Sequence, residues 1–199
     1  MKRDNSACVH VVVDLLYDFI DGSLACHNSA EAVKESVKFI NENRDMAVAY
    51  ICDNHPANHS SFREFGGIWP PHCVKGTRGG SIHEDFYNCV EEIAARPSPE
   101  NTFLKGEDPA KEQYSGYEAV SAVSGTLDEF IQKISGAEEE SAVYVSGVAT
   151  EFCINATVRD LADSGRRVFL LSKALAYVDR EGHEKTLSEL SKYNNVTLI

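Results

Sequence analysis

Cys153 follows Gly147-Val148-Ala149-Thr150-Glu151-Phe152, where a short apolar run (Val143, Tyr144, Val145) meets a stretch with apolar residues at Ile154, Ala156, Val158, Leu161 and Ala162. The second spacing is helical. A thiol on the first turn of a helix lies among unpaired backbone N–H groups at the positive end of the dipole. That setting lowers its pKa toward the thiolate, the form that attacks carbon. Without partners the same residue is only a small buried hydrophobe, so the reading depends on what accompanies it. Asp14 closes the apolar run Val11-Val12-Val13. A carboxylate partly desolvated at a strand end has a raised pKa that fits it for proton transfer, and Asp18 and Asp21 are close rivals for the role. Lys105 closes Thr102-Phe103-Leu104, where its ammonium can stabilise anions beside a carboxylate and a thiol.

A second constellation surrounds Asp53-Asn54-His55. In extended backbone, residues i and i+2 project to one side, so Asp53 and His55 can hold one ion together. His59, Glu64 and His72 follow in the same stretch, with Pro56 stiffening its start and Pro70-Pro71 fixing the approach to His72. Imidazole and carboxylate suit zinc, iron or manganese, and three protein ligands leave a position for water or substrate.

These groups must be positioned by regular elements, and the sequence supplies them. Short β-branched runs recur at 8–13, 47–52, 102–104, 142–146, 167–171 and 195–199, without the alternation of a half-exposed strand. Helical patterns lie between them. One follows Ser29, read as its cap, with Ala32, Val33, Val37 and Ile40. Another follows Thr126, with Glu129 at capping-box distance. A third follows Cys153, and a last one covers 182–190. This alternation predicts an α/β fold, a doubly wound and mainly parallel sheet of six strands with helices on both faces. Asp14, Asp53 and Lys105 then end strands and Cys153 opens a helix, so all four belong to one edge if the strands are neighbours. From 53 to about 82 the periodicity fails, and this loop holds the single tryptophan, Trp69. Long ordered loops inside compact domains usually serve function.

The 199 residues, 43% hydrophobic, are read as one domain over 1–199. A formal charge of −12 argues against nucleic acid or an anionic membrane as partner. The charged start, Met1-Lys2-Arg3-Asp4, is unlike a signal peptide, and no run reaches the length of a membrane span. The six cysteines lie far apart with no Cys-x-x-Cys, which predicts free thiols and a cytoplasmic location.

Taken together, the residues resemble nicotinamidases of the isochorismatase-like cysteine hydrolase superfamily. Val12-Val13-Asp14 with Asp18-Phe19 is similar to the first motif of that family. Asp53-x-His55-Pro56-x-x-His59-x-Ser61-Phe62, continued by Gly67-Ile68-Trp69-Pro70-Pro71-His72-Cys73, is similar to its metal motif. Lys105-Gly106 with Tyr114-Ser115-Gly116-Tyr117 resembles the lysine motif, and 147–154 the nucleophile motif. The resemblance implies a triad of Asp14, Lys105 and Cys153 and metal ligation by Asp53, His55 and His72. Glu64 and His59 occupy positions from which different members draw a further ligand, and the sequence does not choose between them. It also implies a cis peptide at Val148-Ala149, an oxyanion hole from the backbone N–H groups of Ala149 and Cys153, and a ring pocket lined by Phe19, Trp69 and Tyr114. Two positions depart from the pattern: Leu16 stands where a glutamine is common, and Asn54 where a tryptophan is common.

The implied activity is metal-dependent hydrolysis of nicotinamide to nicotinate and ammonia through a thioester, a step of NAD salvage. It uses one divalent ion, zinc first with iron(II) or manganese(II) as alternatives, and homo-oligomers are frequent in the superfamily. The rival reading is a related cysteine amidase acting on another small amide, carbamoyl or ureido compound; such relatives generally lack the Asp-x-His…His set. A non-catalytic metal-binding or regulatory protein on the same scaffold is the third, and an intact triad speaks against it.

Overall fold

Val9–Val13 (β1) is buried along its whole length, and its side chains divide between two cores. Val9, Val11 and Val13 pack on one face of the sheet and Val12 on the other, the period-two division expected of a strand covered on both sides. The computed structural model describes residues 7–136 and 141–199, so the charged start at Met1–Asp4 lies outside the described residues.

After β1 come the one-turn helix α1 (Tyr17–Ile20), α2 (Ser29–Glu42) and β2 (Ala47–Asp53). A short helix α3 (Asp85–Asn88) precedes β3 (Thr102–Lys105), β4 (Val120–Ser121), β5 (Gly125–Thr126) and α4 (Leu127–Ser135). The chain then runs through β6 (Val143–Gly147), α5 (Asn155–Asp163), β7 (Val168–Leu175), α6 (Arg180–Leu190) and β8 (Val196–Leu198). The strand order is β5-β4-β3-β2-β1-β6-β7-β8. All pairings from β3 through β8 are parallel, whereas β3–β4 and β4–β5 are antiparallel. The described sheet therefore has eight strands rather than the expected six. The additional two are a two-residue hairpin at one edge, too short to leave a pattern in the sequence.

Leu127 and Ile131 of α4, Val158 and Leu161 of α5 and Leu190 of α6 cover the face that carries Val9, Val11 and Val13. Ala32, Val33, Val37 and Ile40 of α2 cover the opposite face. Thr126 and Glu129 form the expected capping box at the start of α4. Ser29 does not cap α2: Asn28 occupies that position in a left-handed conformation, and the Ser29 hydroxyl donates to Cys26 O at 2.9 Å.

The chain order supplies a site. From β1 the sheet grows outward through β2 and β3, then the chain returns to the other side of β1 and grows through β6, β7 and β8. The order reverses between β1 and β6, and the crevice beyond their carboxyl ends is where open α/β sheets bind ligands. The six cysteines are free thiols, as expected. No helix among the described residues is long and apolar enough to cross a membrane.

Candidate active site

Neighbouring strands in register deliver the charged groups. Val13 pairs with Ile51 of β2 and Gly147 of β6, and Asp53 pairs with Lys105 of β3, so Asp14, Asp53 and Lys105 leave adjacent strands at one edge. Asp14 stands one residue past β1 with φ 52°, its N–H donating to Ile51 O at 2.9 Å. That left-handed turn redirects the chain after β1, and the Asp14 side chain is completely buried. Lys105 Nζ lies 3.0 Å from Asp14 Oδ2, pairs with Asp53 Oδ1, and reaches Cys153 Sγ at 3.5 Å. The three residues proposed from sequence as a triad thus meet around one ammonium. Asp18 and Asp21, the rival acids, stand elsewhere. Asp21 pairs with Arg78 through two 2.8 Å hydrogen bonds, and Asp18 accepts hydrogen bonds from the backbone of Ser23 and Cys73.

The electrostatics divide the labour. Burial raises the Asp14 carboxyl to about 6, the Asp53 charge adds to the effect, and the Lys105 ammonium opposes it. Burial also disfavours an ionised Asp53, but Lys105 and His55 outweigh it and hold that carboxyl below the usual range. Burial pushes the Cys153 thiol well above its ordinary value, with Lys105 pulling the other way and Asp14 and Asp53 adding to the rise. This corrects the expectation of a thiol lowered by a helix terminus. Desolvation and two nearby carboxylates outweigh the Lys105 ammonium, so the buried sulfur holds its proton more tightly than an ordinary cysteine.

Cys153 sits in a π-helical turn, Thr150–Ile154, that leads into α5. The peptide Val148-Ala149 is cis, at the position the resemblance implies. The Ala149 carbonyl accepts from Phe152 N at 3.0 Å and Ile154 N at 3.1 Å, which closes the turn carrying the thiol.

Asp53, His55 and His72 each offer a donor atom, all within 4.8 Å of one another, and all three are buried. Their ring orientation is fixed from behind. His55 Nδ1 donates to Gly106 O and His72 Nδ1 donates to Pro70 O, both at 2.9 Å, which leaves each Nε2 as a lone-pair donor. Backbone carbonyls holding the distal nitrogen are the usual support of metal-ligating histidines. Two imidazoles and a carboxylate fit a borderline divalent ion such as zinc. The structure does not bring the two candidate additional ligands into this group. His59 is buried with Nδ1 on Ser61 Oγ (2.7 Å) and Nε2 on Lys111 O (3.2 Å). Glu64 is exposed on the 3₁₀ turn Arg63–Phe65.

Phe19, Trp69 and Tyr114, the expected ring-pocket residues, line one cleft with Asp53, His72, Ala149 and Cys153. Phe152 was not singled out from sequence, yet its ring stands 5.0 Å from Trp69 and 5.6 Å from Tyr114. Its signal was adjacency to Cys153: in a helical turn the residue before a nucleophile can wall the same cleft. Leu24, Glu112 and Val178 complete the lining and carried no pattern of their own.

The isochorismatase domain model matches residues 8–198. The nicotinamidase/pyrazinamidase of Mycobacterium tuberculosis is 30% identical over 185 residues, covering 90% of this chain and 92% of that one. The nicotinamidase of Escherichia coli K12 is 29% identical over 181 residues, covering 81% of this chain and 79% of the other. Among solved structures, the pyrazinamidase of Pyrococcus horikoshii in complex with zinc superposes with a TM-score of 0.79 at 30% identity, covering 97% of this chain and 98% of that one. Fold, extent of match and these relatives place the chain in the isochorismatase family, where it groups with the nicotinamidases.

Proposed function

We propose that this protein is a metal-dependent cysteine amidohydrolase that converts nicotinamide to nicotinate and ammonia, in pyridine nucleotide salvage. The observation that carries the reading is the convergence of Asp14, Lys105 and Cys153 on a cleft whose lining also includes Asp53, His72 and four aromatic rings. The pyrazinamidase of Pyrococcus horikoshii is described in complex with zinc, and the related protein of L. infantum in complex with nicotinate. The first supports a divalent ion here, and the second a pyridine carboxylic product.

In this reading Asp14 takes the proton of the Cys153 thiol, and the thiolate attacks the carboxamide carbon. A carboxyl raised to about 6 is ionised at neutral pH yet basic enough to share that proton. The backbone N–H groups of Ala149 and Cys153 hold the oxyanion; one such donor is worth on the order of 10²–10³ in rate in comparable sites. As the tetrahedral species collapses, the C–N bond breaks and Asp14 protonates the departing ammonia, leaving a thioester on Cys153. Asp14 then takes a proton from water, the hydroxide adds to the thioester carbon, and the sulfur leaves and is reprotonated. Lys105 faces the carboxylate and the sulfur throughout and stabilises whichever is anionic. Asp53, His55 and His72 would hold a divalent ion, which would supply a Lewis acid to anchor the ring nitrogen. Phe19, Trp69, Tyr114 and Phe152 clasp the ring, so the amide is presented to Cys153 with little orientational freedom left to lose.

The test is ammonia release from nicotinamide by purified protein, after chelation and after add-back of zinc, iron(II) or manganese(II). Turnover lost on chelation, restored by a metal and absent in Cys153→Ala supports the assignment. Cysteine-dependent activity on other amides, with none on nicotinamide under any metal, replaces it with the related amidase.

A further inference from the structure

His72 differs from the other two candidate ligands in how it is carried. Asp53 ends β2 and His55 follows two residues later on the direct extension of that strand, where its N–H donates to Cys73 O at 3.0 Å. His72 arrives on the loop, where the Pro70 carbonyl sets its ring direction but not the position of the loop. The loop is held on one side by His55, whose carbonyl also accepts from Lys75 N–H, and by the Ser23 hydroxyl on Pro71 O. On the other side it is moored by Asp18. Its Oδ2 accepts from the N–H of Cys73, the residue after His72, at 2.7 Å, and its Oδ1 accepts from Ser23 N–H at 3.1 Å. The Asp18 N–H donates in turn to Gly79 O at 3.0 Å. Cys73 is completely buried with φ 48°, so the backbone at this mooring is held in a conformation that a free loop would leave. Phe19, the next residue on α1, places its ring 5.5 Å from that of His72.

The fit around this carboxylate is close. A Cβ added to Gly79 would stand 1.9 Å from Asp18 Oδ2, although that glycine has no left-handed φ to prevent a side chain. Asparagine offers one oxygen where two N–H groups must be met, and its amide NH₂ would oppose the other. Hydrogen bonds to a carboxylate are roughly twice as strong as neutral ones.

We infer that Asp18 is a positioning residue for the metal site, acting through the Cys73 N–H to hold His72 against Asp53 and His55. This rests on the metal half of the proposed function and not on its substrate. The experiment measures cobalt(II) affinity by chelator competition, and the cobalt visible spectrum, for the full chain and for Asp18→Asn. The alkylation rate of Cys153 by iodoacetamide in metal-free protein serves as control. Asp18→Asn is expected to weaken cobalt binding on the order of 10–100-fold, the usual effect of losing support behind a ligand. It is also expected to shift the visible bands, with alkylation changed by less than about twofold. If Asp18→Asn does not fold, Gly79→Ala, which displaces the same carboxylate from the other side, decides with the same readouts. Affinity within about twofold and an unchanged spectrum overturn the inference. So does a wild-type chain that binds no divalent ion, which removes the metal half of the proposed function as well. A chain that binds cobalt as expected but leaves nicotinamide intact upholds it while overturning the substrate.

Discussion

The backbone N–H of Asp53 donates to Asp14 Oδ1 at 2.9 Å, so the proposed base and the first proposed metal ligand share a hydrogen bond across adjacent strands. Lys105 closes the arrangement by facing both carboxylates from β3. A change on either side of the cleft therefore reaches the other through side chains that are almost completely buried.

Lys105→Met tests that coupling. It leaves two buried carboxylates without their cation, and breaking a buried pair by removing one partner costs about 3–5 kcal/mol. The methionine stem fills much the same volume, so the loss is electrostatic. Urea unfolding should show the variant less stable, with a deficit that is larger at pH 8 than at pH 5, because protonating a carboxyl relieves the repulsion. Ammonia release should fall on the order of 10²–10³-fold, the scale of one lost electrostatic stabiliser. A deficit independent of pH would assign Lys105 a packing role instead.

Gly106→Ala addresses the metal ligands from behind. Gly106 has φ +69°, and a Cβ there would lie 2.4 Å from His55 Cε1 and 2.6 Å from Nδ1. The methyl group collides with the imidazole whose Nδ1–H the same residue's carbonyl accepts. Both backbone strain and ring displacement act on His55, so zinc affinity measured by chelator competition should fall at least about tenfold. Cys153 alkylation should change far less.

Phe152→Leu probes the cleft wall. Its ring meets Trp69 and Tyr114 edge-on and tilted, and Trp69 Nε1 donates to Tyr114 Oη at 3.3 Å. Aromatic contacts of this kind are worth about 0.5–1.5 kcal/mol beyond area burial, which corresponds to roughly a 2–13-fold change. Steady-state kinetics should show that change mainly in KM for nicotinamide, because the ring is held before and during the chemistry alike.

What could be read from sequence follows from how each signal is encoded. Asp14, Asp53 and Lys105 were visible because each ends an apolar run, and a parallel sheet converts strand ends into a shared edge. Cys153 was visible as a nucleophile, but the direction of its shift was not. Helix position is local in sequence, whereas the burial and the two carboxylates that raise the thiol come from β1 and β2. The edge hairpin was missed because two-residue strands have no periodicity to detect. Asp18 was read as a rival to Asp14, and its contact with Cys73 spans 55 positions that only the folded loop brings together.

His10 gives a stability test remote from the cleft. It lies in the middle of β1, completely buried, with Nε2 2.9 Å from Ser146 Oγ and Ser36 Oγ donating to the same hydroxyl at 2.8 Å. Burial lowers its pKa to about 3. The folded chain therefore keeps this ring neutral at pH values where the unfolded chain, near 6.5, takes up a proton. The sign is set by that difference: the contribution is fully present above about 6.5 and is lost as pH falls toward 3. Between pH 7 and pH 5 the loss from this one group is about 2 kcal/mol. His10→Gln removes the titration while keeping a polar partner for Ser146. Its unfolding free energy should be lower than wild type at pH 7, from lost packing on Phe39, whose ring is 5.0 Å from His10. It should then fall by about 2 kcal/mol less than wild type on going to pH 5. Denaturant midpoints at the two pH values decide the matter, and parallel losses in both proteins would show that His10 does not govern the acid limb.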